Sequence, residues 1–501
     1  MTRAAGNNHI YSIDQTFDPG RQDSATAVRR ISYRDLARML PLLLLVWLAS
    51  GCGVAPVVDN KPTPTPLPTP VSTPTPPPPT PTPTPAAAAK AIIFTSNRAL
   101  DGTDSTTLNQ PSNIWGINSD GTGLTPLTNL SDTAFFADSD DAVFSPDGTR
   151  IAFSSARAFD GSNNHDVNQV ANIWVMNADG TNAKALTHLT AAKAHCVRPA
   201  WSPDGTKIAY TSARALDGSD NTNPGGVFIV TNVWSINADG TNDIPLTDDN
   251  SIFGGGTTNS SDPVWSPDGT KIIFNSARAL DGTHLPSANS IPNIWIINSA
   301  DGSGRLPLTF YTAAGISPTA YSWFPNSTKI VYGINVALVG DAFGIPNIWT
   351  LDTAVFPLKP TSLTNFTTTE SALPSISPDG SKIAFVSTRA LDGTDTANTN
   401  NTTNIWVMNA DGSSPTHLTS LTAMGPGAVV GGGRPDQIAF PWLKDGSKIA
   451  FTSSRALDGS DTLNTNFVVN IWVMNADGSA QKPVTKVTTP NTDSSEPNWH
   501  P

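Results

Sequence analysis

From residue 90 to the end, hydrophobic positions come in short bursts such as Ile208-Ala-Tyr and Val233-Trp, separated by polar words rich in Asp, Gly, Asn and Thr. Bursts of this length between turn-forming residues read as β-strands. Around Trp234 the words run Ser202-Pro-Asp-Gly-Thr-Lys, Ile208-Ala-Tyr, Ser212-Ala-Arg-Ala-Leu-Asp-Gly, Asn232-Val-Trp-Ser-Ile-Asn-Ala-Asp-Gly, then Pro245-Leu-Thr. Pro-Asp-Gly and Ala-Asp-Gly supply the positive φ that a tight hairpin needs, so one set of words predicts a four-stranded antiparallel meander. Its strand A is the Trp-Ser-Pro run, B the Ile-Ala-Phe run, C the Asn-Ile-Trp run, and D the short segment ending in Leu-Thr.

The words recur. The strand C tryptophan stands at Trp115, Trp174, Trp234, Trp295, Trp349, Trp406 and Trp472, spaced by 59, 60, 61, 54, 57 and 66 residues. Strand A is expected around Phe144, Trp201, Trp265, Trp323, Ile376, Trp442 and Trp499. A single meander has two apolar faces and cannot stand alone. The last strand A, in Glu496-Pro-Asn-Trp-His-Pro, has no strand B after it, whereas Ala91-Ile-Ile-Phe-Thr is a strand B with no strand A before it. Pairing 91–95 with 496–500 completes a blade and removes the open edge. The fold class is therefore all-β: a closed seven-bladed β-propeller over residues 90–501, with four-stranded antiparallel blades.

The pattern before residue 90 is different. Arg29, Arg30, Arg34 and Arg38 precede the apolar run Met39–Leu48, which ends in Ala49-Ser50-Gly51-Cys52. Basic, apolar, then small residues is the plan of a secretory signal over 1–52, and the run falls short of the roughly 20 apolar residues a membrane span needs. Ala-Ser-Gly-Cys resembles the lipobox of bacterial lipoproteins, with Ala49 where that motif usually has Leu; the resemblance implies lipid attachment at Cys52. Within the linker 53–89, Lys61 to Pro85 is almost entirely Thr-Pro, which favours an extended polyproline II stalk.

Composition sharpens this picture in two places. Only 14% of residues are charged, with formal net charge -12, and such a surface repels nucleic acid and anionic headgroups. With two cysteines, Cys52 and Cys196, and the first assigned to a lipid, no intramolecular disulfide framework is available.

Candidate chemistry is sparse. The sequence has no Gly-x-Ser-x-Gly elbow, no His-Glu-x-x-His, no Cys-x-x-Cys pair and no phosphate loop, so no catalytic residue is assigned. His195 beside Cys196 is the one pair that resembles an activated thiol, and it reads better as an unpaired loop thiol with a chance neighbour. The most repeated polar word is Arg-Ala-Leu-Asp-Gly, with Arg98, Arg157, Arg214, Arg278, Arg389 and Arg455; in the fifth repeat it becomes Val336-Ala-Leu-Val-Gly. Six copies point to architecture, a local Arg–carboxylate staple at the start of the B–C loop. Four loops continue to a second aspartate, giving Asp101 with Asp104, Asp217 with Asp220, Asp392 with Asp395, and Asp458 with Asp461. Such oxygen-rich loops, and the cluster Asp132, Asp138, Asp140 and Asp141, are candidate calcium sites; solvated Asx turns are the plainer reading. No other cofactor is implied.

The run Ile-Trp-Val-Met-Asn-Ala-Asp-Gly, Leu-Thr, Pro-x-Trp-Ser-Pro-Asp-Gly-Thr-Lys-Ile-Ala-Phe resembles the propeller repeat of TolB-type periplasmic proteins across nearly all of 90–501. The resemblance implies a propeller at the cell envelope. Two departures stand out: a Thr-Pro stalk replaces the α/β domain that precedes TolB's propeller, and family members often have six blades. Long inserts at Asn221–Thr231, Asp248–Ser261 and Thr422–Arg434 fall on the face of the B–C and D–A connections, where variable loops on rigid blades make a binding surface. The expected function is a lipid-anchored binding or scaffolding module for a protein or glycan. The alternatives are an extracellular polysaccharide lyase or hydrolase acting at the channel mouth, and a structural envelope protein.

Overall fold

A computed structural model describes residues 90–501 except 105–110, 132–137, 161, 167, 221–229, 251, 254–255, 282, 284, 288–289, 314–315, 337–344, 399–400, 423–429, 432–440, 465, 467 and 491. Cys52, the signal and the Thr-Pro stretch lie outside the described residues, as do Asp132 and Val336-Ala-Leu-Val-Gly beyond its first residue.

Seven four-stranded antiparallel sheets form a ring, and each keeps the order A-B-C-D. Blade 2 is typical, with strands Ser139–Phe144, Arg150–Ser155, Asn172–Asn177 and Lys184–Ala185. Blades 3, 4, 5 and 6 open with Cys196–Trp201, Ser260–Trp265, Ile316–Trp323 and Ser371–Ile376. Across blade boundaries strand A meets strand A, while strand D touches its own strand C, so the A strands surround the axis and the D strands form the rim. The core lies between blades: Phe385, Trp406 and Met408 of blade 6 pack with Phe324 and Val331 of blade 5.

Blade 1 joins the two ends of the propeller, pairing Ile92–Ser96 with Ser494–Trp499 in the register Ile92↔Trp499 to Ser96↔Ser494. The paired strands are shifted slightly from the expected 91–95 and 496–500. The seam is tied like other interfaces: Trp499 donates its indole N–H to Pro441 O of blade 7 at 2.8 Å, as Trp201 does to Val143 O at 3.2 Å.

Blade 7 departs from the expected strand A around Trp442. Val430–Gly431 pairs with Ser453 and Thr452, and Trp442 forms only an isolated bridge to Ile449. In blade 6 the equivalent registers, Ala372↔Val386 and Ser375↔Ala384, are separated by Leu373 and Pro374 alone. Blade 7 thus has more residues between its two described pairings than blade 6 has, and 432–440 among them lie outside the described residues. The insert Asp248–Ser261 contains a small hairpin, Ile252–Phe253 with Gly256–Thr257; most of Asn221–Thr231 lies outside the described residues.

Candidate functional site

The repeated arginine meets the repeated tryptophan of its own blade. Arg98, Arg157, Arg214, Arg278, Arg389 and Arg455 lie 5.6, 5.2, 3.7, 5.9, 4.4 and 3.9 Å from the ring centroids of Trp115, Trp174, Trp234, Trp295, Trp406 and Trp472. Pairing of strands B and C brings the two together, and a desolvated cation over indole contributes up to about 2 kcal/mol. Burial pushes the pKa values of Arg98, Arg157, Arg389 and Arg455 down. In blade 5, whose word lacks the arginine, Trp349 is only half-buried, whereas the other six tryptophans are buried.

Arg389 interacts electrostatically with Asp392 and Asp395 of its own loop, and Arg214 and Arg278 pair with Asp243 at 2.6 Å and Asp248 at 3.5 Å; the loop aspartates also do two other jobs. The first aspartate closes an Asx turn: Asp101, Asp217, Asp392 and Asp458 accept the backbone N–H of Thr103, Ser219, Thr394 and Ser460 at 2.8 to 2.9 Å. The second reaches the D–A connection of the preceding blade. Asp104 accepts Thr488 Oγ1 at 2.8 Å, Asp220 accepts Thr190 Oγ1 at 2.6 Å, Asp395 accepts Thr369 Oγ1 at 2.8 Å, and Asp461 accepts Thr422 Oγ1 at 2.6 Å. These carboxylates are blade-to-blade clamps that accept N–H and O–H donors, and Asp104, Asp395 and Asp461 also interact with the arginine of their own loop. Burial raises the Asp395 pKa, but the hydrogen bonds from Thr367 and Thr369 outweigh it and bring it to about 2. Among the described residues no group of three or more His, Cys, Asp or Glu side chains is placed to hold a metal ion.

A second clamp was not singled out in the sequence. The asparagine opening strand C bridges to the threonine after strand D: in blade 6, Asn404 Nδ2 donates to Leu421 O, its Oδ1 accepts Leu421 N–H and Thr419 Oγ1, and Thr419 Oγ1 accepts Ile405 N–H. Asn113, Asn172, Asn232, Asn293, Asn347 and Asn470 also accept the threonine hydroxyl that follows their strand D. Its signal was the Asn that stands two residues before every repeated tryptophan.

The feature that differs from blade to blade lies on the inner strands. Each described strand A of blades 1 to 6 has a bulge whose first residue is left-handed: Glu496, Asp141, Arg198, Asp262, Ala320 and Leu373, with φ between 42° and 61°. For residues other than glycine this conformation costs about 1–2 kcal/mol. In blades 2 to 4 it turns the residue's N–H toward the preceding blade, which offsets the cost. Asp141 N–H donates to Glu496 Oε2 at 3.3 Å, Arg198 N–H to Asp141 Oδ2 at 3.2 Å, and Asp262 N–H to Thr211 Oγ1 at 3.1 Å. The Arg198 guanidinium pairs with Asp262, and Tyr321 OH of blade 5 donates to Asp262 O at 2.6 Å. A belt of three carboxylates and one guanidinium therefore runs across blades 1 to 4 beside the axis. Blades 5 and 6 place Ala320 and Leu373 at the same register.

The His195–Cys196 pair is not a nucleophile and base. Cys196 is fully buried with its thiol on Ser212 Oγ at 3.3 Å, burial pushes its pKa up to about 11, and His195 Nδ1 accepts the backbone N–H of Ala171.

No family model matches the chain. A stretch of 141 residues is 30% identical to the Tol-Pal system protein TolB of Anaeromyxobacter dehalogenans, covering 28% of this chain and 24% of that protein. The chain thus spans about a quarter of the length of the curated relative it matches. Among solved structures, TolB from Acinetobacter baumannii is 18% identical, with 70% of this chain and 67% of that chain covered and a TM-score of 0.40. A puromycin-hydrolyzing peptidase of Mycobacterium tuberculosis is 10% identical, with 81% and 53% covered and a TM-score of 0.50. The peptidase likeness is one of fold alone. Taken with the seven recurring words and the ring they build, the sequence match makes the propeller of this chain similar to that of TolB.

Proposed function

We propose that this chain is an exported recognition module, lipid-anchored through Cys52 on its Thr-Pro stalk, that binds a protein partner around the axis on the long-loop face. The observation that carries the reading is the contrast between the faces. The Pro-Asp-Gly and Ala-Asp-Gly turns are near-copies in most blades, whereas the B–C and D–A connections differ in length from blade to blade and include the three long inserts of the sequence. Rigid blades that present variable loops are a general binding arrangement. Asp141 and Asp262 are buried and already paired, so a partner meets chiefly Glu496 and Arg198, one charge of each sign. Its test is cross-linking in intact envelopes from photoreactive residues placed at Arg198 and, on the opposite face, at Asp268. Adducts at Arg198 that vanish when residues 432–440 are replaced by Leu-Pro support the reading. Equal adducts from both positions, or adducts that survive the replacement, overturn it.

The same belt supports a second reading, an enzyme acting on an extracellular polysaccharide, because it gathers a guanidinium and carboxylates in one place. That reading requires Arg198→Ala to abolish turnover of a polysaccharide by the full chain; a binding module has no turnover to lose.

A further inference from the structure

The strand A tryptophan marks the same slot at successive blade interfaces, and in most it is closed. Trp201, Trp265, Trp323 and Trp499 donate their indole N–H to Val143, Ala200, Val264 and Pro441 carbonyls at 3.2, 3.0, 3.3 and 2.8 Å. Between blades 2 and 3 the slot is also filled by Arg150, whose guanidinium lies 4.7 Å from the Trp201 ring centroid and donates to Gly205 O at 2.9 Å.

Between blades 6 and 7 it is open. Trp442 Nε1 is buried and has no hydrogen-bond partner; the strand C indoles of Trp174, Trp234, Trp295, Trp406 and Trp472 share this state, but among the described strand A tryptophans Trp442 alone does. Lys382, which stands where Arg150 does at the start of strand B, turns instead to Asn409 Oδ1 at 2.7 Å. A cavity of about 730 Å³ remains, lined by Trp442, Leu418, Lys382, Lys444, Asp379 and Asp477 among others. The cause is in the inner strands: Ile376 replaces the aromatic residue of most other blades, and Trp442, past the blade 7 insert, is held by one bridge to Ile449. The cleft sits among the short turns, on the face away from the long loops, and owes nothing to the site proposed above.

We infer that this cleft is a saccharide site that seats a neutral pyranose unit against Trp442. An indole offers a flat apolar surface to the C–H face of the ring and a polar N–H at its edge. A sugar oxygen gives that N–H the hydrogen-bond partner it lacks. Hydroxyls both donate and accept, so a rim that mixes ammonium and carboxylate groups suits them. Asp379, Asp445 and Asp477 outnumber Lys382 and Lys444 on that rim, so a uronate meets net negative charge. The volume lies within the usual range for small-molecule sites, about 300–1,000 Å³.

The test is saturation-transfer NMR on the full chain with maltotriose, N-acetylchitotriose, trigalacturonate and a Gly-Trp-Gly peptide as probes. The expected result is transfer to the ring protons of a neutral trisaccharide with Kd of about 1 mM or tighter. That signal should be lost in Trp442→Ala and weakened severalfold in Lys444→Ala, an exposed position whose change leaves the melting temperature unaltered. Trp442→Phe guards against a folding artefact: it keeps the platform without the N–H, and should bind more weakly than the natural chain at an unchanged melting temperature. No transfer to either neutral sugar overturns the inference, as does transfer that survives Trp442→Ala. Preference for trigalacturonate overturns the neutral assignment, and tighter binding of the peptide reassigns the cleft to a protein segment.

Discussion

The inner strands of blades 1 to 4 and those of blades 5 and 6 share one backbone plan and diverge in chemistry. On the first side the left-handed bulge residues are Glu496, Asp141, Arg198 and Asp262, bonded from blade to blade; on the second they are Ala320 and Leu373. The same strained conformation therefore serves two ends. Where it carries charge, it links neighbouring blades; where it carries Ala320 or Leu373, it places apolar side chains, Leu373 packing against the core between blades 6 and 7. Repetition fixed the backbone, and the side chains at this register escaped it.

The largest test of that contrast is Asp141→Ala against Leu373→Ala. Asp141 is 1% exposed and accepts both Ser154 Oγ at 2.9 Å and Arg198 N–H, so its loss leaves the Ser154 hydroxyl without this acceptor and Arg198 N–H with Ser154 Oγ alone, and should cost about 3 kcal/mol in urea unfolding. Leu373, half-buried, should cost about 1 kcal/mol. Equal costs break the distinction between the two sides.

A smaller effect separates the closed and open slots. Trp499→Phe removes the N–H that holds Pro441 O and should cost about 1–2 kcal/mol. Trp442→Phe removes an N–H that holds nothing and should stay within about 0.5 kcal/mol. Similar melting temperatures for the two variants would show that the slot between blades 6 and 7 is closed in solution.

The smallest effect per group is in acid, and it should ignore the division altogether. Hydrogen bonds from Ser145 and Ser377 lower the pKa values of Asp147 in blade 2 and Asp379 in blade 6 to about 2. Because these folded-state values lie below those of free carboxylates, the stability they add is complete above about pH 4 and is lost as pH falls toward 2. The melting temperature should decline over that interval, and Asp147→Asn and Asp379→Asn should each flatten the decline equally. A melting temperature that rises on acidification contradicts the assignment.

Much of the ring was legible because a repeat announces itself. Trp115 through Trp472 counted the blades, and the unmatched strands at the two ends located the seam to within two residues. The repeated arginine was visible too, but its partner was not. Arg98 and Asp101 are close in sequence, whereas Arg98 and Trp115 become neighbours only when strands B and C pair. The second aspartates of the loops were legible as a motif and illegible as clamps, since Asp104 and Thr488 stand 384 positions apart.

The sequence by itself determined the strands, their turns, the number of blades and the closure, because each rests on local backbone preference repeated seven times. Only the tertiary structure decided the belt of Glu496, Asp141, Arg198 and Asp262 and the open slot beside Trp442. Those residues belong to different blades and follow no repeated word, so nothing short of closing the ring brings them together.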